Sequence, residues 1–174
     1  MHAVFELLER FPHPLLIVGG HALTAHGVER QTMDVDCLIA AADGPALEAH
    51  LLGGGFSRVG ETEMAAQYAH SSEWIPNVDV LFVDAPAFDK LLADAVPFRT
   101  DFARLQAPAL AHLIALKLHA IRNQPAREAA DLSDIARLLQ ANPGAIKKEE
   151  LAALCAQFGP PDAEAKLQTL LTAP

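Results

Sequence analysis

At 174 residues, with 51% apolar and 20% charged side chains, the chain has enough apolar material for one packed domain, or one domain with a helical appendage, which excludes a disordered polypeptide. A formal charge of −9 excludes a protein that coats nucleic acid through a broad basic face, because such binding needs Lys and Arg to neutralise phosphates. The acidic excess precedes Lys117 and the remainder is balanced, so a polyanionic acceptor is expected only against the C-terminal third; otherwise the acidic half reads as solvated surface plus a metal site.

The N-terminus carries no basic n-region, and the apolar run from Leu110 to Leu118 is broken by His112 and Lys117. Neither a signal peptide nor a membrane span is expected, and the reading is a cytoplasmic protein. Val4 to Arg10 predicts a short helix stopped by Pro12 and Pro14, and Leu15 to Val18 a buried strand ended by Gly19-Gly20. His21 to His26 reads as a short helix closed by Gly27. Asp34 to Ile39 is the next strand, followed by a helix over Ala46 to Leu52 that runs out in Gly53-Gly54-Gly55. Phe56 to Val59, Ala65 to Ala69 and Val78 to Val83 read as strands, Phe88 to Ala93 as a helix and Val96 to Arg99 as an edge strand. From Pro108 the pattern turns helical: Ala109 to Asn123, Ala126 to Gln140 with Pro125 in its first turn, Leu151 to Phe158 and Ala163 to Leu171. The expected class is α/β: a mixed sheet flanked by helices over residues 1–107, then a helical C-terminal part over 108–174 packed close enough to share one site. Cys37 and Cys155 lie far apart in apolar segments and read as buried free thiols.

The chemistry is carried by acids. Residues two apart in a strand share a face, so Asp34 and Asp36 project together while Val35 and Cys37 point toward the core. Two close carboxylates repel unless a hard divalent cation sits between them. Asp79, flanked by Val78 and Val80, supplies a third carboxylate if its strand is a neighbour. Converging acids of this kind suit two-metal phosphoryl transfer. A strand, Gly19-Gly20 and a short helix form a corner where backbone N–H groups can meet phosphate oxygens closely. Asp84, five residues past Asp79, falls on the opposite face of a regular strand and is excluded. His13, His21 and His26 match no common zinc spacing.

With thirteen residues between Gly20 and Asp34, the order of these features resembles the DNA polymerase β superfamily of nucleotidyltransferases. More narrowly, the run from Val18 to Asp36 resembles the AbiEii-type and minimal bacterial members, and the likeness covers roughly residues 15 to 140. The fold it implies is a mixed-sheet nucleotidyltransferase core. It further implies that Asp34 and Asp36 ligate two Mg²⁺ ions, that Asp79 completes the catalytic metal and activates the acceptor hydroxyl, and that Gly19 and Gly20 hold the phosphates of an NTP substrate. His21 stands where many members carry a small hydroxyl residue beside phosphate. Arg30 and Thr32 are candidates for phosphate or sugar contact, although as ordinary loop residues they would look the same.

At 100° per residue Lys117 falls inside the apolar stripe of Leu110, Leu113, Ile114, Leu118 and Ile121, and Asp131 stands at the margin of the next inward face. These inward charges read as a Lys117–Asp131 pair, either near the site or fastening two helices; alternatively the Lys117 head escapes along its stem to solvent. The AbiEii-type resemblance implies the first, with both residues linked to activity. The expected reaction is transfer of a nucleoside monophosphate to an acceptor hydroxyl on RNA, protein or a small molecule, with an antitoxin partner in the toxin case. The alternatives are a silent nucleotide- or partner-binding module and a nuclease using the same acids.

Overall fold

The computed structural model describes residues 1–172. Helix α1 (His2–Glu9) leads to the two-residue strand β1 (Leu16–Ile17), a 3₁₀ helix over His21–His26 and strand β2 (Val35–Ala40). Then come α2 (Gly44–Gly53), β3 (Phe56–Glu61), β4 (Ala65–His70), β5 (Val78–Val83), α3 (Ala85–Ala93), β6 (Val96–Arg99) and β7 (Arg104–Ala107). Four helices close the chain: α4 (Leu110–Asn123), α5 (Glu128–Ala141), α6 (Lys148–Phe158) and α7 (Ala163–Thr172). Among the described residues no helix is long and apolar enough to cross a membrane.

Two compact units divide the chain. One comprises residues 1–25 and 30–108, the other residues 26–29 and those from Ala109 onward. The first holds a five-stranded mixed sheet in the order β1-β2-β5-β4-β3, in which β2 and β5 are parallel and the other neighbours antiparallel. Parallel neighbours need a long crossover. Here α2, β3 and β4 supply it, which brings Val35–Ala40 beside Val78–Val83 although 37 residues lie between Ala40 and Val78. The two strands are near-continuous apolar runs because their inward residues, Val35, Cys37, Leu38, Ile39, Val78 and Val80, lie in the core. Helix α2 covers the Cys37 face: a Cβ added to Gly44 would meet the Phe82 ring at 3.3 Å, and Leu47 and Leu51 are fully buried.

Val96–Arg99 forms the expected strand but pairs only with β7, in a two-stranded ribbon outside the main sheet. Strand β7 itself carries no legible signal, since Arg-Leu-Gln-Ala is too short for alternation to stand out. Gly27 adopts φ +77 after the 3₁₀ helix, the left-handed role its position predicts. Both cysteines are buried free thiols, as expected. Asp84 caps α3 by accepting the Ala87 N–H at 2.8 Å, which explains an acid at that point without chemistry.

In the second unit α5 begins after a 3₁₀ turn at Pro125–Arg127, so Pro125 precedes the helix rather than lying in its first turn. The short segment 26–29 is tied to α5: Asn142 Nδ2 donates to the His26 carbonyl at 2.9 Å, and Arg137 donates to the Glu29 carbonyl.

Candidate active site

The parallel pairing of β2 and β5 sets Asp36 directly opposite Asp79, with Gln67 of β4 next in the row. Direct partners on adjacent strands share a face, with strands about 4.8 Å apart. The two carboxylates therefore stand side by side on the face away from Cys37. Both also raise the pKa of the Cys37 thiol, after the larger effect of its complete burial, so Cys37 stays protonated. Asp34 lies one residue before β2, in the bend that enters it, where strand alternation does not yet fix the side chain.

Gly19 closes the corner on this pair. Its φ of +61 is a left-handed conformation, and an added Cβ would lie 2.0 Å from Asp36 Oδ2. The Val18 N–H donates to the Asp36 carbonyl at 2.9 Å, which sets the distance between corner and strand. Gly20 approaches the loop before β2 in the same way, since a Cβ there would meet Thr32 Cβ at 3.0 Å. Gly19→Ala is therefore expected to destabilise the protein by about 2 kcal/mol or more, through strain at positive φ and displacement of the Asp36 carboxylate. A urea titration against wild type measures it; a loss below about 0.5 kcal/mol would show that the corner tolerates a side chain.

His21 does not stand open beside this corner. Its ring is buried edge-on against Phe5 of α1, with centroids 5.2 Å apart, and Nε2 has no hydrogen-bond partner among the described residues. The flanking apolar helix draws the imidazole inward, an outcome the polarity of histidine conceals in the sequence. Burial, and secondarily the positive N-terminus, lower its pKa from 6.5. Between that lowered value and the unfolded value the unfolded chain binds a proton that the native protein refuses. Stability is thus complete above pH 6.5 and falls as the pH drops through the window. Urea midpoints at pH 7.5 and 5.5 should fall further apart for wild type than for His21→Phe; equal spacing would rule out the histidine as the cause.

In the helical unit Lys117 is 4% exposed, and its Nζ donates to Asp131 Oδ1 at 2.8 Å and to Asp134 Oδ2 at 2.7 Å. Arg127 Nε reaches Asp131 Oδ2 at 3.1 Å. The predicted Lys117–Asp131 pair is present, and the Lys117 head does not escape to solvent. Asp134, absent from the sequence reading, completes it; lying three residues past Asp131 on the same helix face, it could have been found by that spacing.

An all-carboxylate donor set fits a hard, oxygen-seeking cation, and Mg²⁺ is commonly held by one or two carboxylates with water and substrate phosphates filling the rest. Among the described residues no three His, Cys, Asp or Glu side chains are gathered into a group able to hold a metal ion. The structure thus brings together Asp36 and Asp79, and leaves Asp34 at the strand entrance rather than in a closed triad.

No protein-family model and no curated protein sequence matches the chain. Solved structures do. ANT(2")-Ia, in complex with adenylyl-2"-tobramycin, superposes with a TM-score of 0.66 at 16% identity, over 90% of this chain and 93% of that one. An antigenic nucleotidyltransferase-like protein from Paracoccidioides brasiliensis gives 0.59 at 16% identity, over 98% and 95%. The lincosamide antibiotic adenylyltransferase LnuA, lincomycin-bound, gives 0.54 at 14% identity, over 80% and 96%. The chain has a nucleotidyltransferase fold. Identities this low establish that fold alone, in accord with the α/β class expected from the sequence. Within the nucleotidyltransferase fold of this chain, the Gly19 corner, β2 and β5 stand together in one unit.

Proposed function

We propose that the protein is a magnesium-dependent nucleotidyltransferase that moves a nucleoside monophosphate from an NTP to an acceptor hydroxyl, acting in the cytoplasm. The observation that carries the reading is the register that sets Asp36 beside Asp79, with Gly19 closed against Asp36. A peptide corner without side chains lets a triphosphate approach the backbone, and Arg30 and Thr32 in the loop before β2 are the candidates for further phosphate or sugar contacts. Asp36 and Asp79 would hold Mg²⁺, with Asp34 the third carboxylate of the set. Bound there, two Mg²⁺ ions would neutralise the triphosphate and stabilise the attacking and leaving oxygens. Asp79 takes the proton from the acceptor hydroxyl as its oxygen bonds to the α-phosphorus and the bond to pyrophosphate breaks. The chain contributes position and fixed charge, as is general in phosphoryl transfer.

The neighbours support this choice of reaction. ANT(2")-Ia is seen with an adenylylated tobramycin, and LnuA is an adenylyltransferase bound to lincomycin, which favours AMP as the transferred group and a small-molecule hydroxyl as the acceptor. The test is incubation with Mg²⁺ and each NTP labelled at the α-phosphate, offering tobramycin, lincomycin, total RNA and lysate protein. Label should move to an acceptor with release of pyrophosphate, and EDTA should stop it. Label on RNA or protein would favour the AbiEii-type toxin role, with an antitoxin partner. Nucleotide binding without transfer to any acceptor would mean a silent module, and RNA cleavage without NTP a nuclease.

A further inference from the structure

Trp74 and Met33 are the most exposed large apolar side chains among the described residues, at 90% and 76%. Single exposed apolar residues are ordinary. These two, however, belong to the same end of the sheet. Met33 lies in the loop that enters β2, and Trp74 in the turn before β5, which the Ile75 N–H closes on the Ser72 carbonyl at 3.1 Å. Because β2 and β5 run parallel, their entrances coincide, and the Val35 N–H joins them by donating to the Asn77 carbonyl at 2.9 Å. Asp36 and Asp79 are the second residues of those strands. Chain length alone holds Met33 within about 11 Å of Asp36 and Trp74 within about 18 Å of Asp79, Cα to Cα.

Charge selects the occupant. Each exposed apolar side chain has a carboxylate as its neighbour in sequence, Asp34 beside Met33 and Glu73 beside Trp74. In this unit acidic residues outnumber basic ones by eight. Such a field concentrates cations and disfavours a polyanionic acceptor, which unlike the triphosphate is not neutralised by the Mg²⁺ that the acids would hold, and an indole face is the best of the aromatic partners for an ammonium group. We propose that Trp74 is the platform on which the acceptor stacks, with Met33 as a second apolar contact, and that the acceptor is a positively charged, amine-bearing polyol. The inference rests on the nucleotidyltransferase reading for the word acceptor; the binding it asserts stands separately.

Trp74 is the sole tryptophan of the chain, so intrinsic fluorescence reports on it alone. Wild-type protein, without NTP, is titrated with tobramycin, with neomycin, with uncharged trehalose and with a short RNA oligonucleotide. The aminoglycosides should change the emission saturably, and more weakly at 500 mM than at 50 mM salt, while trehalose and RNA should leave it unchanged. By calorimetry, Trp74→Ala should weaken tobramycin binding about tenfold and Trp74→Phe less, whereas Glu149→Gln on α6 should match wild type. In the labelling assay Trp74→Ala should raise the KM for the aminoglycoside and spare kcat. Equal affinity of wild type and Trp74→Ala, failure of both aminoglycosides to bind, or preference for RNA would each overturn the proposal. Because binding is read without nucleotide, failure of transfer with intact binding would instead count against the enzymatic reading.

Discussion

Asp79→Asn, and equally Asp36→Asn, should lower the single-turnover rate of nucleotidyl transfer by about a thousandfold, with little change in thermal stability. Asparagine keeps the size and shape of the side chain and removes the charge that would hold the cation, so the loss falls on transition-state stabilisation. About 4 kcal/mol of lost stabilisation corresponds to that factor. The fold should survive because the β2–β5 ladder and the Val18 N–H on the Asp36 carbonyl, at 2.9 Å, are main-chain bonds that the substitution leaves in place. Asp84→Asn is the internal control. Asp84 lies on β5's exit and caps α3, so its loss should cost about 1 kcal/mol or less of stability and leave the rate intact. Transfer by Asp79→Asn within tenfold of wild type would remove the acid pair from the chemistry.

The elements that carry this pair were legible because each announces itself locally. Val35–Ala40 and Val78–Val83 are apolar runs with one acid each, bounded by turns, and both are strands. Their adjacency is a different matter: a sequence reveals which face of a strand an acid occupies, but not which strand lies beside it, and only the register supplies Asp36 opposite Asp79. The placement of Asp34 was harder still, since in the bend that enters a strand the alternation of faces no longer fixes where a side chain goes. Helical periodicity exposed Lys117 because a cation in an apolar stripe violates the pattern. Asp134 violated nothing. Its spacing of three from Asp131 gains meaning only beside a buried ammonium that demands a second acceptor. The burial of His21 depends on Phe5, sixteen residues away in another helix, and no local pattern records it.

Lys117→Met should destabilise the helical unit by about 3–5 kcal/mol, the range expected when one side of a buried ion cluster is removed. Methionine fills the stem's volume, so little apolar packing is lost. What remains is the deficit: Asp131 and Asp134 are 1% and 4% exposed, and each gives up a charge-assisted bond of 2.8 or 2.7 Å. Arg127 still reaches Asp131 at 3.1 Å, which softens the loss on that side. Lys117→Met combined with Asp131→Leu and Asp134→Leu should recover most of the stability, because an apolar cluster of similar volume substitutes well for buried ions. If these residues serve to fasten α4 to α5, transfer activity measured on the folded fraction should return in the triple variant along with stability. Restored stability with activity still absent would instead assign Lys117 a direct part in the reaction. Thermal melts and the labelling assay on the same three proteins separate the two outcomes.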